Sequence, residues 1–170
     1  MKTDSIDQFL IVISPSESLS QFASYKKKYL RNHLGRFESA GSIPHITLFD
    51  YEDKHNDSRL YDLELKAAQF SPFTLYTTSY DVFDHGDNRT IYMKFIYNEP
   101  AREIVKKLDN RAIIPHLTIA RNLSPKEFDK AWRLLKNDSF NYCSPCNYIT
   151  VLKREPGDFW NNYMQLNFKR

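Results

Sequence analysis

The chain has 170 residues, 41% of them hydrophobic and 26% charged, the balance of one ordinary globular domain rather than a disordered chain. Lys and Arg number 24 against 21 Asp and Glu, a net charge of +3, which does not mark a nucleic-acid surface by itself and does not oppose a phosphate ligand. The longest apolar run, residues 9–13, is far short of a membrane span, and Met1-Lys2-Thr3-Asp4 does not open a secretion signal, so a cytoplasmic protein is expected.

Residues 9–13 read as a buried strand by length and β-branching. Ser14-Pro15-Ser16-Glu17 supplies an N-cap, a proline at the first helical position and an acid at the third. It predicts a helix to Leu34, with Leu19, Phe22, Ala23 and Leu30 near one face and Gly35 as the stop. Lys26-Lys27-Lys28 within it reads as a solvated face. A strand follows over 44–51, then a helix from Ser58 carrying Leu60, Leu63, Ala67 and Phe70 and ended by Pro72. Residues 73–82 and 90–97 read as strands, 100–108 as a helix and 115–120 as a strand. Ser124-Pro125-Lys126-Glu127 repeats the capping pattern, and Phe128, Ala131, Trp132 and Leu135 form its helical stripe. Cys143-Ser144-Pro145-Cys146 precedes a strand-like stretch over 148–152 instead of opening a helix, and no second C-x-x-C accompanies it. Two reduced thiols are expected there, not a redox pair or a zinc site. A strand over 162–168 closes the chain. With only four glycines, the chain carries neither a P-loop nor a dinucleotide fingerprint, so any phosphate must be held by side chains or strand ends.

The element order repeats. A step of 71 residues, the separation of His45 and His116, carries Pro44 onto Pro115 and Thr47 onto Thr118. The same step carries Gly86-Asp87 onto Gly157-Asp158, Tyr92-Met93 onto Tyr163-Met164, Arg31 onto Arg102 and Leu63 onto Leu134. Clusters in register at equivalent places indicate duplication. A single domain over residues 1–170 is expected, with repeats at about 8–82 and 88–168.

Each repeat contains one polar constellation: Pro44-His45-Ile46-Thr47-Leu48 and Pro115-His116-Leu117-Thr118-Ile119. In a strand, side chains alternate faces, so each histidine shares a face with the threonine two residues on, about 7 Å away. A tetrahedral phosphate spans such a gap. One His-x-Thr would be an ordinary hydrogen-bonded histidine; two, each after proline and at matched places, point to chemistry. Displacement at phosphorus runs in line, with the attacking and leaving oxygens on opposite sides. It needs one proton removed and one supplied, and imidazole, with a pKa of about 6.5, suits both tasks.

The paired motifs resemble those of the two-histidine phosphoesterase superfamily, which includes 2′-5′ RNA ligase-like proteins and cyclic nucleotide phosphodiesterases. The resemblance covers nearly the whole chain. It implies an α+β, bilobal, duplicated fold with two pseudo-symmetric antiparallel sheets lining a central cleft and helices outside. It assigns catalysis to His45 and His116 and phosphate binding to Thr47 and Thr118. It also implies cyclic phosphodiester chemistry: water opens a 2′,3′-cyclic phosphate, with His116 read as the base and His45 as the acid. Ala120-Arg121 after the second motif fits many members; Phe49-Asp50-Tyr51 after the first lacks their glycine.

Weaker candidates surround these four. Arg121 is a candidate phosphate contact. Tyr92, Lys94 and Tyr163 are candidates to line the cleft, with the tyrosines stacking on a base, and Phe49 and Tyr51 lie in phase with His45. His33, His55 and His85 read as surface histidines. The expected partner is an RNA end or a small cyclic nucleotide, bound by a monomer without cofactor or metal. A zinc site on His45 and His116 would lack a carboxylate or thiol at ligand spacing. Reverse-direction 2′-5′ ligation and RNA-end binding without turnover are the competing functions.

Overall fold

The computed structural model describes residues 6–54 and 58–169; His55 lies outside them. Chain order runs β1 (Asp7–Ile13), α1 (Glu17–Leu34), β2 (Ile46–Asp53), α2 (Ser58–Ala67), β3 (Phe73–Asp84) and β4 (Arg89–Ile96). It continues through α3 (Glu99–Asp109), β5 (His116–Leu123), α4 (Pro125–Leu135), β6 (Tyr142–Cys146), β7 (Tyr148–Arg154) and β8 (Asn161–Asn167). The strands form two antiparallel four-stranded sheets, ordered β2-β1-β7-β8 and β5-β4-β3-β6. Helices α1 and α4 pack on the sheet containing β5, and α3 and α2 on the sheet containing β2. One apolar cluster draws on both sheets and all four helices.

Each sheet takes strands from both halves of the chain. Strands β2 and β5 are edge strands of their sheets, and β1 and β4 lie second. The 71-residue step therefore relates the two motif strands well. It does not relate β4 to β8 in the same way, because β8 is an edge strand and β4 is not.

The register of β5 follows from burial. Leu117 and Ile119 are fully buried, and each contributes about 1.5–3 kcal/mol by leaving water. A one-residue slip would expose both, so the half-buried His116 and Thr118 are locked onto the opposite face. Strand β2 begins the same way, then bulges: Ile11 faces Phe49 while Val12 faces Thr47, leaving Leu48 extra. Beyond the bulge the faces reverse.

Three local expectations are corrected. Helix α1 starts at Glu17 with Ser16 at the N-cap, not Ser14. The Ser16 hydroxyl donates to the Cys143 carbonyl at 3.0 Å and its N–H to Ser144 Oγ at 2.8 Å, so contacts across the fold set this end in place of a local box. Lys27 is not solvated but 3% exposed, because it falls on the helical stripe of Ala23 and Leu30. The Cys-Ser-Pro-Cys stretch is itself strand β6, an edge strand on β3, where proline costs no ladder bond. Cys143 and Cys146 are both free, and burial pushes the Cys146 thiol up to about 12.

The box at Ser124 forms as expected: Ser124 N–H donates to Glu127 Oε2 at 2.8 Å and Glu127 N–H to Ser124 Oγ at 3.4 Å. Ser124→Ala is expected to destabilise the protein by about 1 kcal/mol in urea unfolding; an unchanged midpoint would show that this cap contributes nothing. Among the described residues no helix is long and apolar enough to cross a membrane.

Candidate functional site

The two edge strands β2 and β5 approach each other where the sheets meet. Between them lies an open cavity of about 530 Å³ whose walls include His45, Thr47, His116, Thr118 and Arg121. Burial along the two motifs is identical: proline buried, histidine half-buried, apolar residue buried, threonine half-buried, apolar residue buried. The structure thus brings the four motif residues and Arg121 together.

The imidazoles are anchored alike. His45 Nδ1 lies 2.8 Å from the Ile43 carbonyl and His116 Nδ1 2.7 Å from the Ile114 carbonyl. A carbonyl only accepts, so Nδ1 carries the proton in both rings. When the ring is neutral, Nε2 then holds a lone pair; when it is charged, Nε2 holds a second proton. The His116 ring is further held edge-on by Phe83 at 5.0 Å and Tyr92 at 5.3 Å.

The electrostatics differ. Burial lowers the proton affinity of both imidazoles, and the anchoring carbonyls partly offset this. His45 is pushed down further by the charges of Lys27, Arg121 and His116. The Arg121 guanidinium is itself paired, with Nη2 2.7 Å from Glu38.

The weaker candidates divide. Lys94 is exposed and sits opposite His116 in the β4–β5 ladder, with its ammonium 3.7 Å from Asp81. Tyr92 pairs with Thr118 but is only 4% exposed, stacked on Phe83 at 4.1 Å. It supports the His116 ring and offers no free face to a base. Tyr163 is 46% exposed, yet it lines a separate depression with Thr150 and Gln165, because β8 is the edge of the other sheet remote from β2. Phe49 is 2% exposed, turned into the core by the bulge at Leu48. Tyr51 is buried against Phe9, ring centroids 4.9 Å apart. A second cavity of about 590 Å³ shares Thr47, Phe83 and His116 with the first and is also lined by Phe49, Arg102 and Arg111.

Besides the motif residues and Arg121, the cavity is lined by Ser39, Ser42, Phe83, His85 and Thr90. His85, read as a surface histidine, is exposed but lines the cavity. It rides on the β3–β4 turn, where Gly86 adopts φ +84°. That turn precedes the strand paired with β5, which is the signal that it comes close. Ser39 and Ser42 also line the cavity; the short polar run before Pro44 is their only trace in sequence. Lys27 reaches Ser42 from α1.

The sequence model of the 2′-5′ RNA ligase superfamily matches residues 15–158. A Bacillus cereus (strain B4264) protein whose phosphoesterase name is itself an inference is 26% identical over 160 residues, covering 88% of this chain and 90% of that protein. A second, from Bacillus cereus (strain AH820), is 27% identical over 161 residues with the same coverage. Among solved structures, TT0787 of Thermus thermophilus superposes with a TM-score of 0.66 at 13% identity, over 94% of this chain and 97% of that one. Escherichia coli LigT complexed with 3′-AMP superposes with a TM-score of 0.61 at 15% identity, over 96% and 99%. These likenesses carry the fold.

Proposed function

The chain belongs to the 2′-5′ RNA ligase superfamily of two-histidine phosphoesterases, and from that premise we propose that it hydrolyses cyclic phosphodiesters without a metal. The substrate is a 2′,3′-cyclic phosphate on an RNA end or a nucleotide. The observation that carries this reading is the pair of imidazoles on one cavity, each with Nδ1 tied to a backbone carbonyl and Nε2 left for a guest.

Thr47 and Thr118 hold the non-bridging oxygens, and Arg121 adds positive charge. A water attacks phosphorus and gives its proton to one Nε2. One ring oxygen leaves and takes a proton from the other Nε2, so a phosphomonoester forms on the remaining ribose oxygen. The charges around His45 support it as the neutral base and His116 as the protonated acid, opposite to the roles read from sequence. The 3′-AMP bound by the LigT neighbour is a ribose phosphomonoester of the kind that opening a cyclic phosphate yields. Among the described residues no three His, Cys, Asp or Glu side chains converge as metal ligands.

The test is incubation of purified protein with 2′,3′-cyclic mononucleotides and cyclic-phosphate oligonucleotides, with EDTA present and with a 5′-hydroxyl RNA as acceptor. Phosphomonoester product insensitive to EDTA is expected. A joined 2′-5′ product would make ligation the activity, and binding without product would make this a recognition module. The pH dependence has a defined sign. Both imidazoles lie below the ordinary value, so the bell in kcat/KM is centred below about pH 6.5. Bound phosphodiester charge raises both, so the kcat bell lies on the alkaline side of the kcat/KM bell. A flat profile from about pH 5 to 9 contradicts paired imidazole catalysis.

A further inference from the structure

The buried ammonium of Lys27 has no part in the two-histidine scheme. Lys27 is 3% exposed, and its ammonium donates to the Ser42 carbonyl at 3.0 Å and the Ser42 hydroxyl at 2.8 Å. The Ser42 hydroxyl donates in turn to the Ser39 carbonyl at 3.0 Å. Ser39, itself buried, donates its hydroxyl to the Ile119 carbonyl at 3.3 Å and accepts the Arg121 N–H at 3.0 Å. These backbone groups belong to β5, an edge strand whose outer ladder positions have no strand partner. The residue after Ser42 is Ile43, whose carbonyl holds His45 Nδ1. A chain of hydrogen bonds therefore runs from α1, through the turn that orients His45, to the strand that carries His116 and Thr118.

We propose that Lys27, Ser42 and Ser39 are positioning residues that clamp the His45-orienting turn onto β5 and so set the spacing at which both motif histidines meet one phosphate. The proposal rests on the two-histidine reading. Burying an ammonium is costly unless its bonds and its field are used, and an apolar side chain would suit this stripe of α1 better. Burial and the Arg121 charge lower the Lys27 pKa to about 8, so it stays mostly charged at neutral pH. That charge faces His45 together with Arg121 and His116 from β5. His85 on the β3–β4 turn shares the cavity, and Glu38 partly neutralises Arg121.

The experiment compares wild type with Lys27→Met, Lys27→Arg and Ser39→Ala. It measures kcat and KM on a 2′,3′-cyclic mononucleotide and, without substrate, the NMR titration of the His45 and His116 imidazoles. Lys27→Met is expected to lower kcat by about 10- to 100-fold with KM little changed, and to raise the His45 midpoint while leaving His116 in place. Lys27→Arg restores the His45 midpoint because the charge returns. Ser39→Ala lowers kcat while the His45 midpoint stays, because it cuts the tie and keeps the charge. It also decides the matter if Lys27→Met does not fold. Values of kcat within about twofold of wild type in both variants would overturn the proposal. If wild type opens no cyclic phosphodiester, the functional reading fails, and amide hydrogen exchange in Ser39→Ala still judges the clamp: exchange at residues 39–43 and 119–121 as slow as in wild type overturns it, and faster exchange there upholds it.

Discussion

Alanine at His45 or at His116 is expected to lower kcat on 2′,3′-cyclic nucleotides by about 10²–10⁴-fold in each case, with the fold intact by circular dichroism. Both rings are half-buried on the cavity face, while the apolar anchors of their strands, Ile46 and Leu117, point the other way into the core. Removing either imidazole therefore empties the site without opening the core. The double variant is expected to fall little below the worse single one, because acid and base act as a unit. The pH dependence of the residual activity separates their roles. With His45 gone, only the need for protonated His116 remains, so the rate falls as pH rises. With His116 gone, only the need for neutral His45 remains, so the rate rises with pH. The reverse pattern would restore His116 as base. Single variants that turn over at the wild-type rate would remove the two-histidine mechanism altogether.

The site is legible in sequence where it rests on strand periodicity and repetition. Alternation places His45 with Thr47 and His116 with Thr118 on one face, and the burial of Ile46, Leu117 and Ile119 enforces that phase. The proline before each histidine marks where the strand begins. Legibility ends where a ladder breaks or where residues remote in the chain decide. A bulge is a single extra residue and leaves no periodic mark, so Phe49 reads as facing the cavity between the motifs, although it is a core residue that borders only the second cavity. Lys27 reads as one of three surface lysines although its place on the stripe of Ala23 and Leu30 marks it for burial; what periodicity does not show is its polar partner, Ser42, fixed by the turn after α1. Tyr92 and Tyr163 look equivalent by offset, yet strand exchange between the sequence halves puts one beneath His116 and the other on the edge of the β2 sheet farthest from β2. The helix start at Ser16 is likewise set by β6, more than a hundred residues away.

Phe49 offers the sharpest test of that bulge. Its ring is 2% exposed and neighbours Tyr51 at 6.5 Å between centroids; Tyr51 in turn stacks on Phe9 at 4.9 Å. A side chain that stacks on a base needs an open face, whereas this one is enclosed in a row of aromatics beneath the cavity wall. Phe49→Ala is therefore expected to cost about 3–5 kcal/mol of stability in denaturant unfolding, from lost burial plus the cavity left behind. Its kinetic effect should be the same for purine and pyrimidine cyclic nucleotides, since no base contact is lost. Phe49→Leu, which keeps most of the apolar volume, should recover much of the stability. If Phe49→Ala instead keeps its unfolding midpoint and raises KM for one class of base, the ring faces the ligand, and the phase set by Leu48 is the wrong one.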